Sequence, residues 1–210
     1  MPLFKSIENI FSSKLGLWLI EEDFQQLYDE VSALSFEISQ LDNFKNELKK
    51  SQWLASRLLI NSMDKNVKRI TYNENGAPFT SSGIYISLSH SKNMVAVILD
   101  NLIDVGIDIQ VISTKIELIK KKFCTKNELD FVSRSETLQK LHLIWSVKEA
   151  IYKQIKIPGI VFKEEMEIEP FELKEKGRIN ARVDKGESRV MMELEYEILG
   201  DYTLVYTLNT

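Results

Sequence analysis

The run MVAVIL, Met94 to Leu99, narrows what this chain can fold into more than any other stretch. It is apolar without a break, and Asn93 precedes it while Asp100-Asn101 follows it. A run this short between turn residues suits a strand covered on both faces. Such a strand needs paired neighbours and a layer of helix over it. Just upstream, Ile84, Ile86 and Leu88 alternate with Tyr85, Ser87 and Ser89, and Lys14 to Ile20 alternates weakly as a first strand. Apolar residues at helical spacing across Ser32 to Ile60, broken near Asp42-Asn43, predict two helices. The second runs from about Asn46 to Ser62 with Trp53, Leu54, Leu58 and Leu59 on its apolar face. A strand over Lys68 to Tyr72 and a turn at Asn75-Gly76-Ala77-Pro78 complete this part.

After Asn101 a similar order begins again. Ile103 to Val111 reads as a strand, Lys115 to Lys153 as helix in three pieces, and 178–184, 188–198 and 201–208 as closing strands. The class is therefore α+β. The expectation is two similar halves, 1–101 and 102–210, each of helices plus a small antiparallel sheet. A net charge of −4 argues against a dedicated nucleic-acid binder. The single cysteine, Cys124, forms no internal disulfide and fits a reducing cytosol. No apolar run approaches the roughly 18 residues that span a bilayer, and the opening MPLFKSIENIFSSK lacks a signal-peptide core. A cytoplasmic protein without a membrane segment is expected.

Three stretches could carry chemistry. In DVGIDIQV, Asp104 to Val111, strict alternation sets Val105, Ile107, Ile109 and Val111 on one side and Asp104, Gly106, Asp108 and Gln110 on the other. Asp108 and Gln110 are then neighbouring oxygen-bearing groups, as Mg²⁺ ligation requires, and Gly106 leaves room for a ligand or another backbone. A half-solvated strand is the simpler account of that stretch alone. In IWSVKEAIYK, Ile144 to Lys153, the core stripe is Ile144, Val147 and Ile151, while Glu149 and Lys153 lie four apart on another face. An exposed Glu–Lys pair is common decoration at this spacing. In SLSHS, Ser87 to Ser91, a strand end and turn carry His90 among hydroxyl and amide groups suited to phosphate. The other histidine, His142, reads as structural.

Taken in order, these stretches resemble the 4′-phosphopantetheinyl transferase superfamily, in its long two-half, surfactin-synthetase-activating form. Val105-Gly106-Ile107-Asp108 fills the signature (V/I)G(I/V)D. Trp145-Ser146-x-Lys148-Glu149-Ala150-x-x-Lys153 fills (F/W)(S/C)xKE(A/S)xxK. KKFCTKNEL, Lys121 to Leu129, and the helix WLASRLL are similar to further family segments, so the likeness runs from about Lys49 to Pro170.

The resemblance implies halves packed about a pseudo-twofold axis, with coenzyme A and Mg²⁺, or Mn²⁺ as an alternative, in the cleft between them. Asp108 and Glu149 would be metal ligands, joined by Gln110 directly or through water. Glu149 would be the general base toward the serine of an apo acyl or peptidyl carrier protein, directly or through a water. Lys153, Ser89, His90 and Arg57 would serve coenzyme A, Lys148 would assist with its phosphate or with helix placement, and 3′,5′-ADP would leave. Lys120, Lys121 and Lys122, with Phe123, suit docking of an acidic carrier, and a solvated helix surface accounts for the three lysines equally well. A monomer would suffice for a cleft of this kind.

Two positions depart from the family pattern. Gln110 stands where this type often has glutamate, and Ala77 stands where a turn lysine is often found, with Lys68 or Arg69 as replacements for its charge. A coenzyme A-binding partner or sensor without catalysis is the main alternative function. An unrelated Mg²⁺-dependent phosphoester hydrolase would call for more carboxylates than the two found in these stretches.

Overall fold

A computed structural model describes residues 3–8, 13–34, 36, 38–67, 69–132, 136–185 and 188–207. The chain divides into two compact units between Val105 and Gly106.

In the first unit, four antiparallel strands lie in the order β1 (Leu3–Glu8), β2 (Lys14–Leu19), β6 (Met94–Asp100), β5 (Tyr85–Ser91). Strand β6 is buried along its whole length, as its unbroken apolar run demands. Helix α1 (Phe24–Ala33) packs on α2 (Glu47–Met63), and α2 lies against β2 and β6. Trp18, Leu54, Leu59 and Val97 meet in the core between them. Strands β3 (Ile70–Tyr72) and β4 (Pro78–Thr80) form a separate hairpin. Asp100 is buried at the end of β6, where it accepts from Ser13 Oγ and from the backbone N–H groups of Leu102 and Ile103. That carboxylate closes the turn out of the sheet.

Two expectations change in this unit. The first helix ends where the apolar spacing suggested that it starts, and among the described residues of the later stretch a 3₁₀ turn at Ser39–Asn43 is the one helical element. Its start is set by a capping box, in which the Asp23 side chain accepts from Gln26 N and the Gln26 side chain accepts from Asp23 N. SLSHS is not strand end plus loop: all five residues belong to β5, and the turn is Lys92-Asn93, with Lys92 left-handed at φ 49°. Lys68 lies outside the described residues.

The second unit holds a five-stranded antiparallel sheet ordered β7 (Ile107–Val111), β11 (Tyr202–Thr207), β10 (Ser188–Leu199), β9 (Lys176–Lys185), β8 (Met166–Ile168). Helices α3 (Lys115–Phe123), α4 (Lys126–Phe131) and α5 (Thr137–Ile155) are the three pieces expected, and a four-residue α6 (Phe162–Glu165) precedes β8. Helix α5 packs on β7 and β11 and is buried around most of its circumference, Lys140, His142, Ser146 and Lys148 included. The strand expected from Ile103 begins only at Ile107. Among the described residues no helix is long and apolar enough to cross a membrane.

Gly106 sits where α5 meets the start of β7. A Cβ there would stand 1.9 Å from the carbonyl oxygen of Ala150. The backbone of α5 is thus what approaches this glycine, and the Gly106–Ala150 seam sets how close the helix lies to β7. Thr207 pins the same residue from the other side, by Gly106 N to Thr207 Oγ1 at 2.9 Å and Thr207 N to Gly106 O at 2.9 Å. Gly106→Ala should lower stability by about 3 kcal/mol, the top of the usual overpacking range, because the colliding atom is main chain. Urea unfolding measures this, and an unchanged midpoint would contradict the seam.

Candidate active site

The close seam places the functional face of α5 over β7. Asp108 is only 1% exposed, so the strand's polar side is covered at that position, with Gln110 half-buried beside it. Lys153 Nζ donates to Asp108 Oδ1 at 2.8 Å and to the carbonyl of Ile107 at 2.9 Å. Gln110 Nε2 donates to Asp108 Oδ2 at 3.1 Å. Glu149, one turn before Lys153, is half-buried, and among the described residues it has no hydrogen-bond or ion-pair partner. Burial raises its carboxyl pKa above the ordinary glutamate value, the Asp108 charge raises it further, and Lys153 opposes both. Asp108, Gln110, Glu149 and Lys153 therefore form one electrostatic cluster.

Lys148 does something other than meet coenzyme A. Its side chain is 0% exposed and paired with an equally buried Glu128, Nζ to Oε2 at 2.8 Å. The same ammonium donates to the carbonyls of Phe123 at 2.7 Å and Phe162 at 3.3 Å. Glu128 in turn accepts from Thr125 N at the start of α4 and from Ile168 N in β8. An ammonium with three acceptors and no exposure has nothing left for a phosphate. It ties α3, α4, α6 and β8 to the helix that carries Glu149. Cys124 lies beside this pair, its thiol pushed up to about 12 by burial first and the Glu128 charge second, so it is inert.

Phe123 is likewise buried, edge-on against Trp145 at 5.1 Å between ring centroids, which removes it from any docking surface. Lys121 and Lys122 are exposed on the last turn of α3. His142 has the structural role expected of it: its Nε2 accepts from Ser113 N at 2.9 Å and pins the loop after β7 to α5.

In the first unit, Arg57 is 3% exposed, with its guanidinium 3.8 Å from the centroid of the Trp53 ring. It donates to Ser56 Oγ at 2.9 Å and to Tyr72 Oη at 3.2 Å, and among the described residues no carboxylate pairs with it. Burial lowers its pKa from the free value. A desolvated cation without a counter-ion is costly unless an anion completes it. Ser89 is buried and His90 exposed at the end of β5, and Arg69 is exposed just before β3.

Residues 104–207 match the model of the 4′-phosphopantetheinyl transferase superfamily. The chain belongs to that superfamily. It is 32% identical over 113 residues to the 4′-phosphopantetheinyl transferase AcpT of Escherichia coli O157:H7, covering 50% of this chain and 58% of that protein. With AcpT of Salmonella typhimurium the identity is 31% over 114 residues, covering 51% and 59%. With the 4′-phosphopantetheinyl transferase HetI of a Nostoc species it is 25% over 179 residues, covering 76% and 75%. The chain thus spans little more than half the length of the AcpT relatives. The family match begins at Asp104, two residues before the Gly106 seam, and runs to Thr207, which pins that seam.

Proposed function

We propose that the protein transfers the 4′-phosphopantetheine arm of coenzyme A to a serine of an apo carrier protein and releases 3′,5′-ADP. The observation that carries this reading is the cluster of Asp108, Glu149 and Lys153, built by the segment that matches the family. Among the described residues no three His, Cys, Asp or Glu side chains gather as a ready metal cage. Two carboxylates are nevertheless what Mg²⁺ takes when substrate phosphates and water complete its shell. Asp108 and Glu149 would hold it, with the Gln110 amide beside them. Bound there, Mg²⁺ would compensate charge on the pyrophosphate oxygens.

The protein's own groups carry the rest. The serine oxygen forms a bond to the β-phosphorus, and the bond from that phosphorus to the bridging oxygen of the pyrophosphate breaks, leaving 3′,5′-ADP with the electron pair. Glu149 takes the serine proton. Its raised pKa and lack of an internal partner suit a base that has to accept a proton at neutral pH. Lys153 compensates charge on the leaving phosphate. Arg57, desolvated and without a carboxylate, serves an anionic group of the nucleotide, and Ser89 and His90 contact phosphate from β5. Incubation with coenzyme A, Mg²⁺ and an apo carrier should release 3′,5′-ADP one-for-one with carrier modified. Release without carrier modification would indicate hydrolysis, and no release would remove the transferase reading.

A further inference from the structure

Both oxygens of Asp108 are engaged from within the protein. Lys153 holds Oδ1 at 2.8 Å and Gln110 holds Oδ2 at 3.1 Å, on a buried carboxylate. An ammonium thus stands against the carboxylate oxygen that a divalent cation has to share. Gln110 adds donor hydrogens rather than a third negative charge, so Asp108, Glu149 and Lys153 leave the cluster with only one net negative charge. We infer that Lys153 is the resident counter-ion of this site. It keeps a divalent cation off Asp108 until the pyrophosphate of coenzyme A draws the ammonium away, so that metal and coenzyme A bind as a coupled pair. This inference rests on the transferase reading above.

Three observations support the exchange. The Lys153 side chain is 24% exposed while its partner is 2% exposed, so the ammonium can swing on its flexible stem without moving α5 or β7. Its second acceptor, the Ile107 carbonyl, belongs to the strand itself and gives the ammonium a fixed resting place. The cluster also supplies too few carboxylates to hold a hard dication unaided, and pyrophosphate oxygens both complete the shell and attract the ammonium. Departure of one cation and arrival of the other are then a single event. By linkage, whatever factor coenzyme A adds to metal affinity, metal adds to coenzyme A affinity.

The test measures Mn²⁺ binding to the full chain by isothermal titration, with and without coenzyme A, in wild type and in Lys153→Met. Without coenzyme A, Lys153→Met should bind Mn²⁺ about tenfold more tightly than wild type, within the usual range of coupling between sites. A lysine that only served phosphate would leave binding of the metal alone unchanged, and that result overturns the inference. Lys153→Gln guards against a variant that fails to fold: its amide still donates to Asp108 but carries no charge, and the same tightening is expected. If Mn²⁺ alone binds both folded variants no better than wild type while coenzyme A binds normally, the resident-counter-ion idea alone is lost. If coenzyme A does not bind wild type even with Mn²⁺ present, the transferase reading falls with it.

Discussion

Glu149→Gln should yield a folded protein whose transfer rate is down by about a thousandfold, within the range for loss of a general base. The substitution keeps shape and removes only the proton acceptor. Its effect on stability should run the other way. The folded-state pKa of Glu149 is raised, by burial first and Asp108 second, so the folded chain binds more protons there than the unfolded chain. By linkage, stability falls as pH rises from the ordinary glutamate value through the raised one, and the penalty is fully present above it. Glutamine has no such penalty. In EDTA at neutral pH, Glu149→Gln should therefore melt at or above the wild-type temperature. A near wild-type transfer rate would remove Glu149 from the mechanism, and a clearly lower melting temperature would contradict the electrostatic account of the cluster.

Lys148→Met should cost about 3–5 kcal/mol in urea unfolding, because it strands the buried Glu128 carboxylate without its cation. Adding Glu128→Gln should restore a good part of that loss. A neutral amide is cheaper to bury, and it can still accept one of the two backbone N–H groups that Glu128 now serves, Thr125 N and Ile168 N. A lysine that met coenzyme A would behave differently, weakening coenzyme A binding with little change in stability. A Lys148→Met cost under about 1 kcal/mol would show that the pair does not hold α5 in place.

The contrast between Lys148 and Lys153 marks where reading the sequence stops. Both lie in IWSVKEAIYK, and helical spacing puts them on different faces. Spacing alone does not say that one finds Glu128, twenty residues upstream, while the other finds Asp108, forty-five residues upstream. Thr125 and Glu128 do form a capping box at the start of α4, but a cap does not announce a buried ion pair. Gly106 was legible as a point of close approach, yet only packing shows that the approaching group is the Ala150 carbonyl. Strand β6 was the most secure element because an unbroken apolar run has few other places to go. Helix α1 was misplaced because just two of its residues, Leu27 and Val31, are fully buried, too few to set a period. Phe123 followed three lysines and read as surface, until its contact with Trp145 placed it in the core.

The central claim, transfer of an arm from coenzyme A to a carrier, is met most directly by weighing the carrier. Apo acyl and peptidyl carrier proteins incubated with this protein, coenzyme A and Mg²⁺ should each be examined by intact-mass spectrometry and peptide mapping. The expected result is a gain of one phosphopantetheine arm on a single serine of at least one carrier, absent with Glu149→Gln. If no carrier gains that mass while coenzyme A binds and the protein remains folded, the cluster at Asp108, Glu149 and Lys153 is a binding site and not a transferase centre.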